Sequence, residues 1–220
     1  MKRSSLHYIL LTSRFEQIWF PLSFWAVFII IGIIRGSEYI FDTTRAYLGT
    51  VIPLMGGITA AYAVLEDPAL ELRFSTPISA IRTLMERLLP TFTIQVLSAL
   101  TFQIFASYFG ADFSPIGGWG DVQLLWLVPT ISLMSFGCLM AFISTQAPIG
   151  ASVVGLVWIV QLVARSWFAD GAIGQYVLVF MGVFMPEHPA LHANQIVLFG
   201  LSIAFLIASL ELLRRQERYI

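Results

Sequence analysis

The chain has 220 residues, of which 58% are hydrophobic and only 11% are charged, with a formal net charge of −1. Because soluble domains carry about 25% charged residues, this composition and a mean hydropathy of +0.82 indicate an integral membrane protein. No strongly basic surface is available, so nucleic acid is not an expected partner. The single cysteine, Cys138, excludes an intrachain disulfide and a cysteine metal cluster.

Residues 1–16 are predicted to form an amphipathic helix on the inner surface of the membrane. Apolar residues such as Leu6, Ile9 and Leu10 recur at roughly helical spacing, and polar residues follow them. The alternative is that this segment simply extends the first membrane span. The polar interruptions, and the lack of a small-residue cleavage site after them, argue against a cleaved signal peptide.

Six apolar runs are candidates for membrane-spanning helices, because a bilayer core about 30 Å thick requires roughly 20 largely apolar residues. They cover residues 17–34, 46–65, 88–109, 124–144, 149–168 and 195–213, and the first is short. Six crossings place both termini on one side. Nine of the 12 Lys and Arg residues would then share that side, and only Arg35, Arg45 and Arg165 would face the other. The positive-inside rule therefore predicts that both termini are cytoplasmic.

An unusual connection, residues 171–192, precedes the last span. Its apolar part, 176–185, is too short to cross a membrane and too hydrophobic for a solvated loop. We expect a re-entrant or interfacial hairpin on the outer face; the alternative is an outer loop packed on neighbouring helices. Glu187, His188 and His192 could approach a metal, but adjacent prolines disturb the helix that would align them, so no metal site is predicted.

Charge is concentrated between the second and third spans, in the sequence VLEDPALELRFSTPISAIRTLMERLLP (64–90). Asp67 followed by Pro68 is typical of a helix start, whereas Pro77 disfavours helix in the residue before it. The pattern predicts a short helix, a sharp corner at Pro77, and a second helix that continues into the third span. Arg82 and Glu86 lie one turn apart on that second helix.

This corner also carries apolar residues, Leu70 and Phe74, on a cytoplasmic element that has no core of its own. A partner docked on the corner would cover them. The alternative is a solvated loop whose charges only fix the membrane topology.

The segment resembles the coupling helix of exporter-type ATP-binding-cassette permeases of the type-2 (type V) family. That family commonly has an acidic start, Glu-Leu, then Leu-Ser-Thr-Pro and a basic helix. The matching residues are Glu66, Glu71, Leu72, Ser75, Thr76, Pro77 and Arg82. The surface helix, six spans and outer hairpin extend the resemblance over nearly the whole chain. It departs from the family at Arg73 and Phe74, where aliphatic residues are usual, and in its small outer region.

The resemblance implies a single all-α transmembrane domain, residues 1–220, in a prokaryotic cytoplasmic membrane. It implies the membrane subunit of an ATP-driven exporter, paired with an identical or homologous second membrane subunit and with separate ATPase subunits. The residues expected to bind the ATPase, all within 66–82, are Glu66, Asp67, Leu70, Glu71, Arg73, Phe74, Thr76, Pro77 and Arg82.

The chain is not expected to be an enzyme itself. Its only lysine is Lys2, so it contains no phosphate-binding P-loop. We expect no cofactor in this chain; ATP and Mg are expected on the partner ATPase. No His or Lys lies within a span to activate a serine nucleophile.

Few polar residues fall deep within the predicted spans. They are Gln95, Ser98, Thr101, Gln103 and Gln161. Because ionisable residues usually mark ion relays, ion-coupled transport is not expected, and the mostly apolar spans suit a hydrophobic or amphipathic cargo. The alternative function is a non-transporting membrane anchor or immunity-type protein that recruits a cytoplasmic partner.

Small residues recur four positions apart and favour close helix packing, either within the chain or between subunits. The pairs are Gly56 with Ala60, Gly57 with Ala61, Gly137 with Ala141, and Ala151 with Gly155.

Overall fold

The structure is a computed structural model in which residues 15–65 and 79–214 are described. These residues form helices and no strand. The α-helices are α1 (Phe15–Arg35), α2 (Ile40–Ala46), α3 (Ile52–Leu65), α4 (Ala80–Tyr108), α5 (Trp119–Ser144), α6 (Ala147–Val163), α7 (Arg165–Asp170), α8 (Gly174–Val177), α9 (Met181–Phe184) and α10 (Leu191–Arg214). The predicted interfacial helix falls almost entirely outside the described residues.

Five stretches of the described residues are long and apolar enough to cross a membrane, in agreement with an all-α, multi-pass membrane protein. They are Ile18–Arg35, Ser37–Ala63, Ala80–Tyr108, Trp119–Ser144 and Leu191–Arg214. The predicted runs 17–34, 124–144 and 195–213 each lie inside one helix, and 88–109 passes the end of α4 by one residue.

The second stretch is longer than the predicted 46–65 and is not a uniform α-helix. A 3₁₀ turn, Ser37–Tyr39, leads into α2, and a single π-helical turn, Tyr47–Val51, joins α2 to α3. Arg45, which the topology prediction places on the outer side just before the second span, therefore lies within this helical run. Its Nε donates to the carbonyl of Val183 in α9.

The predicted span 149–168 is divided into two helices. The dihedral angles of Ala164 (φ −93°, ψ 20°) depart from the α-helix, so α6 ends at Val163 with 17 residues. Helical hydrogen bonds nevertheless continue on both sides, from Ala164 N–H to the Val160 carbonyl and from Phe168 N–H to the Ala164 carbonyl. The two helices therefore form one kinked run.

Local sequence explains several helix ends. Helix α4 follows Ser79 in extended conformation and continues without a break past Pro90, as expected for a helix rising from the charged segment. Thr145, in the left-handed region (φ 57°), ends α5, and a proline in the first turn of α6 starts the next helix. Between α4 and α5, the Asp112 carboxylate accepts hydrogen bonds from Ser114 N–H and Oγ, which lower its pKa.

Helices α3 and α5 form the centre of the bundle. In the most apolar parts of Ser37–Ala63 and Trp119–Ser144, 78% and 72% of the residues are buried, against 11% for Ile18–Arg35. Close approach of α3 and α5 depends on Gly57 and Gly137, whose backbones meet without space for a side chain. Helices α4, α6 and α10 surround this pair, and α1 lies at the periphery.

Candidate functional site

Most of the predicted ATPase-binding residues lie outside the described residues. Those that fall in 66–78 are Glu66, Asp67, Leu70, Glu71, Arg73, Phe74, Thr76 and Pro77. Arg82 is the one predicted site residue that the structure places. The described flanks of the segment nevertheless define how it is attached to the bundle.

Arg82 lies in the first turn of α4 with its side chain in solvent. Its Nε contacts the Glu86 carboxylate at 2.9 Å, and 65% of the Arg82 side chain is exposed. An exposed ion pair of this kind contributes about 0–1 kcal/mol to stability. Arg82 is therefore accessible for a contact with another molecule and is not required to hold α4 in place.

Arg87, which the sequence groups with the same charges, is placed differently. It is 6% exposed and lies on the inward side of α4, next to the buried Leu84 and Leu88. A buried guanidinium must be compensated by interactions inside the protein. Arg87 thus belongs to the bundle, and the most exposed charge in the early turns of α4 is Arg82, since the Glu86 side chain is only 19% exposed.

Both ends of the charged segment are anchored in one hydrophobic cluster. Ala60 and Ala63 from the end of α3 pack with Leu84 and Leu88 from the start of α4, and Leu213 of α10 packs with them. From α5, the members are Met134, Cys138 and Phe142. The described residues on both sides of 66–78 therefore pack in the same cluster, which includes the end of the central helix α3.

The opposite end of the bundle is closed by the segment that contains α8 and α9. Leu178, Phe180 and Met181 in this segment are fully buried. Because α8 and α9 have only four residues each, neither can cross a membrane. The segment packs on its neighbours, which is compatible with both the hairpin and the packed outer loop, so the choice between them and the depth of the segment in a bilayer stay predictions.

Two amides hold this segment against the bundle. The Gln161 amide of α6 donates to the Val177 carbonyl (3.2 Å), and its oxygen accepts from Val179 N–H (2.8 Å). The Asn194 amide of α10 donates to the carbonyls of Gln175 (2.8 Å) and Leu178 (3.0 Å). Sequence reasoning noted Gln161 only as a polar residue and missed Asn194, which precedes the last apolar run and gives no signal of its own.

The π-helical turn links this segment to α3. Within this turn, the Thr50 carbonyl accepts a hydrogen bond from Trp158 Nε1 of α6 (2.9 Å). Gly49 lies directly against Val183 of α9. Helix α3 therefore connects the charged segment at one end of the bundle to the closing segment at the other.

The histidines singled out in the sequence show an ordinary local contact. His188 Nδ1 accepts a hydrogen bond from Ala190 N–H at 3.2 Å. Within residues 15–65 and 79–214, no three His, Cys, Asp or Glu side chains come together as metal ligands.

In comparisons with protein-family models, curated proteins and solved structures, the chain matches none of them. The resemblance to the permease family therefore stays a prediction from the residues of the charged segment.

Proposed function

We propose that the chain is the membrane-spanning subunit of an ATP-driven exporter, and that residues 66–82 dock on a separate ATPase subunit. In this proposal the chain crosses a prokaryotic cytoplasmic membrane six times, with α6 as the fifth crossing and both termini in the cytoplasm. A second membrane subunit completes the translocation path. ATP and Mg are bound by the ATPase and not by this chain.

The attachment of the charged segment is the observation that supports this proposal. The segment joins the end of the most buried helical stretch, Ser37–Ala63, to the start of α4, and both ends are fixed in one apolar cluster. Because packed interiors transmit displacement with little compression, this arrangement is suited to passing a movement of the docked ATPase subunit into α3.

A transport cycle follows from these contacts. ATP-driven closure of the ATPase subunits moves residues 66–82, and the movement passes into α3. At its other end, α3 and the π-helical turn contact α9 through Gly49 and Val183, so the displacement reaches the closing segment. Rotation of the helices then opens the path outward.

The test compares variants within the charged segment. Phe74→Ala removes the proposed apolar anchor, and truncating a buried interface anchor typically costs about 2 kcal/mol or more of binding. We expect this variant to lose the co-purifying ATPase while its expression and unfolding in detergent stay unchanged. Pro77→Ala should straighten the corner and reduce cargo-stimulated ATPase turnover more than ATPase binding.

Arg82→Ala is the matched control, because its exposed side chain pairs only with Glu86 among the contacts described. We expect a loss of about 0–1 kcal/mol of binding. Full ATPase binding and turnover in both Phe74→Ala and Pro77→Ala would contradict the proposal. Co-purification of a partner with no cargo-stimulated ATPase activity would instead favour a non-transporting anchor.

A further inference from the structure

We infer that the chain binds an amphiphile whose polar head accepts hydrogen bonds, such as a long-chain carboxylate or ester, between α1, the π-helical turn and α4. The inference depends on three features of this region. It is lined by aromatic rings, its polar groups are hydrogen-bond donors, and one wall is the most lipid-exposed helix of the bundle.

The rings form a continuous cluster across three elements. Tyr47 of the π-helical turn lies 4.3 Å from Phe102 of α4 and 5.2 Å from Phe28 of α1, measured between ring centroids. Phe105 of α4 is the next ring, 5.6 Å from Phe102. Tyr47 and Phe102 are almost completely buried. Aromatic walls with a few placed polar groups are typical of small-molecule binding sites.

Two donors in this region have no acceptor among the described residues: Trp25 Nε1 of α1 and Gln95 Nε2 of α4. Gln95 is 1% exposed, so water outside the bundle does not reach it. One turn away on α4, the Ser98 side chain lies near the hydroxyl of Tyr47. Buried donors of native proteins are nearly all paired, so two orphaned donors near one aromatic cluster indicate an acceptor supplied by a ligand.

The contrast with neighbouring amides makes the orphaned groups informative. Two turns further along α4, Gln103 exchanges hydrogen bonds with Gln123 of α5 (2.8 and 3.4 Å), and Trp126 Nε1 donates to Gln123 (2.9 Å). The fold can therefore pair a buried glutamine with an amide and an indole. At Gln95 and Trp25 it leaves the same two kinds of donor unpaired.

Helix geometry places the two donors at similar depth. Helices α1 and α4 run parallel, since both are antiparallel to the run between them, and Gly32 of α1 faces Phe105 of α4. Trp25 and Ser98, each seven residues earlier on its helix, therefore lie at the same height along the helix axes. Gln95 lies one turn, about 5 Å, from Ser98 toward the start of α4. Trp25 also packs against the aromatic cluster.

The bilayer supplies the route to this site. Only 11% of the residues in the most apolar part of α1 are buried, so one side of this helix is open to the bilayer while its aromatic residues face the cluster. A ligand arriving from the bilayer would place its oxygens on the indole and amide donors and leave its alkyl chain among rings and lipid. That this amphiphile is the exported cargo rests on the proposed function. That the chain binds it does not.

The experiment uses the purified full-length chain in maltoside micelles with three photoreactive probes. Each has a 16-carbon chain with a diazirine in the tail, and the heads are a carboxylate, a methyl ester and a trimethylammonium group. We expect saturable labelling of peptides from α1 and α4 by the carboxylate and the ester. The ammonium probe, which cannot accept a hydrogen bond, should give none. Labelling by the carboxylate alone would assign a free acid, and labelling by both would assign a carbonyl-bearing lipid.

Variants separate binding from folding. Gln95→Leu and Trp25→Phe should each weaken saturable labelling roughly two- to tenfold, the value of one lost hydrogen bond. The unfolding midpoint of Gln95→Leu should stay equal or rise, because the removed N–H groups have no acceptor in the protein; Trp25→Phe also removes packed ring atoms, so its midpoint is not used for this comparison. Gln103→Leu is the control. It removes the amide hydrogen bonds of Gln123, so the unfolding midpoint of this variant should fall while its labelling stays unchanged.

Three results would overturn the inference. The first is full labelling of both donor variants. The second is earlier unfolding of Gln95→Leu, which would make this donor structural. The third is saturable labelling by the ammonium probe. Because no ATPase is present, these results leave the exporter proposal standing. Loss of ATPase co-purification from the native chain would leave the binding site standing.

Discussion

At the scale of single residues, the contact between α3 and α5 depends on two glycines. A Cβ built on Gly137 would overlap the carbonyl oxygen of Gly57, and one on Gly57 would lie 2.9 Å from the carbonyl oxygen of Leu133. Backbone atoms cannot rotate away as a flexible side chain can. We therefore expect Gly137→Ala to lower the free energy of unfolding by about 1–3 kcal/mol, the usual effect of overpacking, measured by denaturant titration in detergent.

Gly155 provides the matched control. It lies inside α6, and a Cβ added there would meet nothing within 4 Å. Gly155→Ala should leave stability unchanged or raise it by about 0.5–1 kcal/mol, because alanine favours helix over glycine. Equal unfolding midpoints for Gly137→Ala and the native chain would show that α3 and α5 do not approach this closely.

The spacing of small residues was visible in the sequence, but the sequence did not show which of them contact another helix. Gly137 with Ala141 and Ala151 with Gly155 have the same pattern, yet Gly137 lies against α3 while Gly155 has open space. Spacing identifies the face of a helix on which small residues lie. It contains no information about the helix, or the second subunit, that faces them.

At the scale of elements, the closing segment depends on the amide of Gln161. Replacing this residue with leucine leaves the buried Val179 N–H and Val177 carbonyl without their amide contacts. Leaving a buried backbone group unpaired costs about 1–3 kcal/mol. Gln161→Leu should therefore increase amide hydrogen exchange throughout 177–181, measured by mass spectrometry, before it changes exchange in α3 or α5.

Thr101→Val on α4 serves as the control for this measurement. Its hydroxyl bonds to the Leu97 carbonyl of its own helix and makes no described contact with the closing segment. Exchange in 177–181 should match that of the native chain. If Gln161→Leu behaves like Thr101→Val, the amide does not hold the segment, and packing of Leu178 and Phe180 alone explains its burial.

The helices themselves were largely predictable, because a bilayer requires long apolar runs and the sequence provides them. The π-helical turn and the break at Ala164 were not, since hydropathy reports preference for an apolar medium and not the hydrogen-bond pattern of the backbone. The burial of Arg87 was not predictable for a related reason. Its charge alone does not show which side of α4 it occupies, which depends on packing between α4 and its neighbours.

At the scale of the whole molecule, the number of membrane crossings depends on α6. Its 17 residues extend about 25 Å, at the lower limit for a span. Packing nevertheless places it along most of α5. Gly150 of α6 contacts Ala141 near the end of α5, and Trp158 packs against the cluster that contains Val128, from the first half of α5. Because α5 is itself a candidate span, we expect α6 to cross the same thickness in the opposite direction.

Cysteine labelling in intact cells tests this topology. In a Cys138→Ala background, since Cys138 is buried, single cysteines are placed at Asp112, Asp170 and Glu187 and at Thr145 and Glu71. An impermeant thiol reagent should label the first three and neither of the last two, because α6 separates Thr145 from Asp170. Equal labelling at Thr145 and Asp170 would mean that α6 does not cross. The two termini would then lie on opposite sides, and the positive-inside argument for a cytoplasmic charged segment would need an independent marker at Glu71.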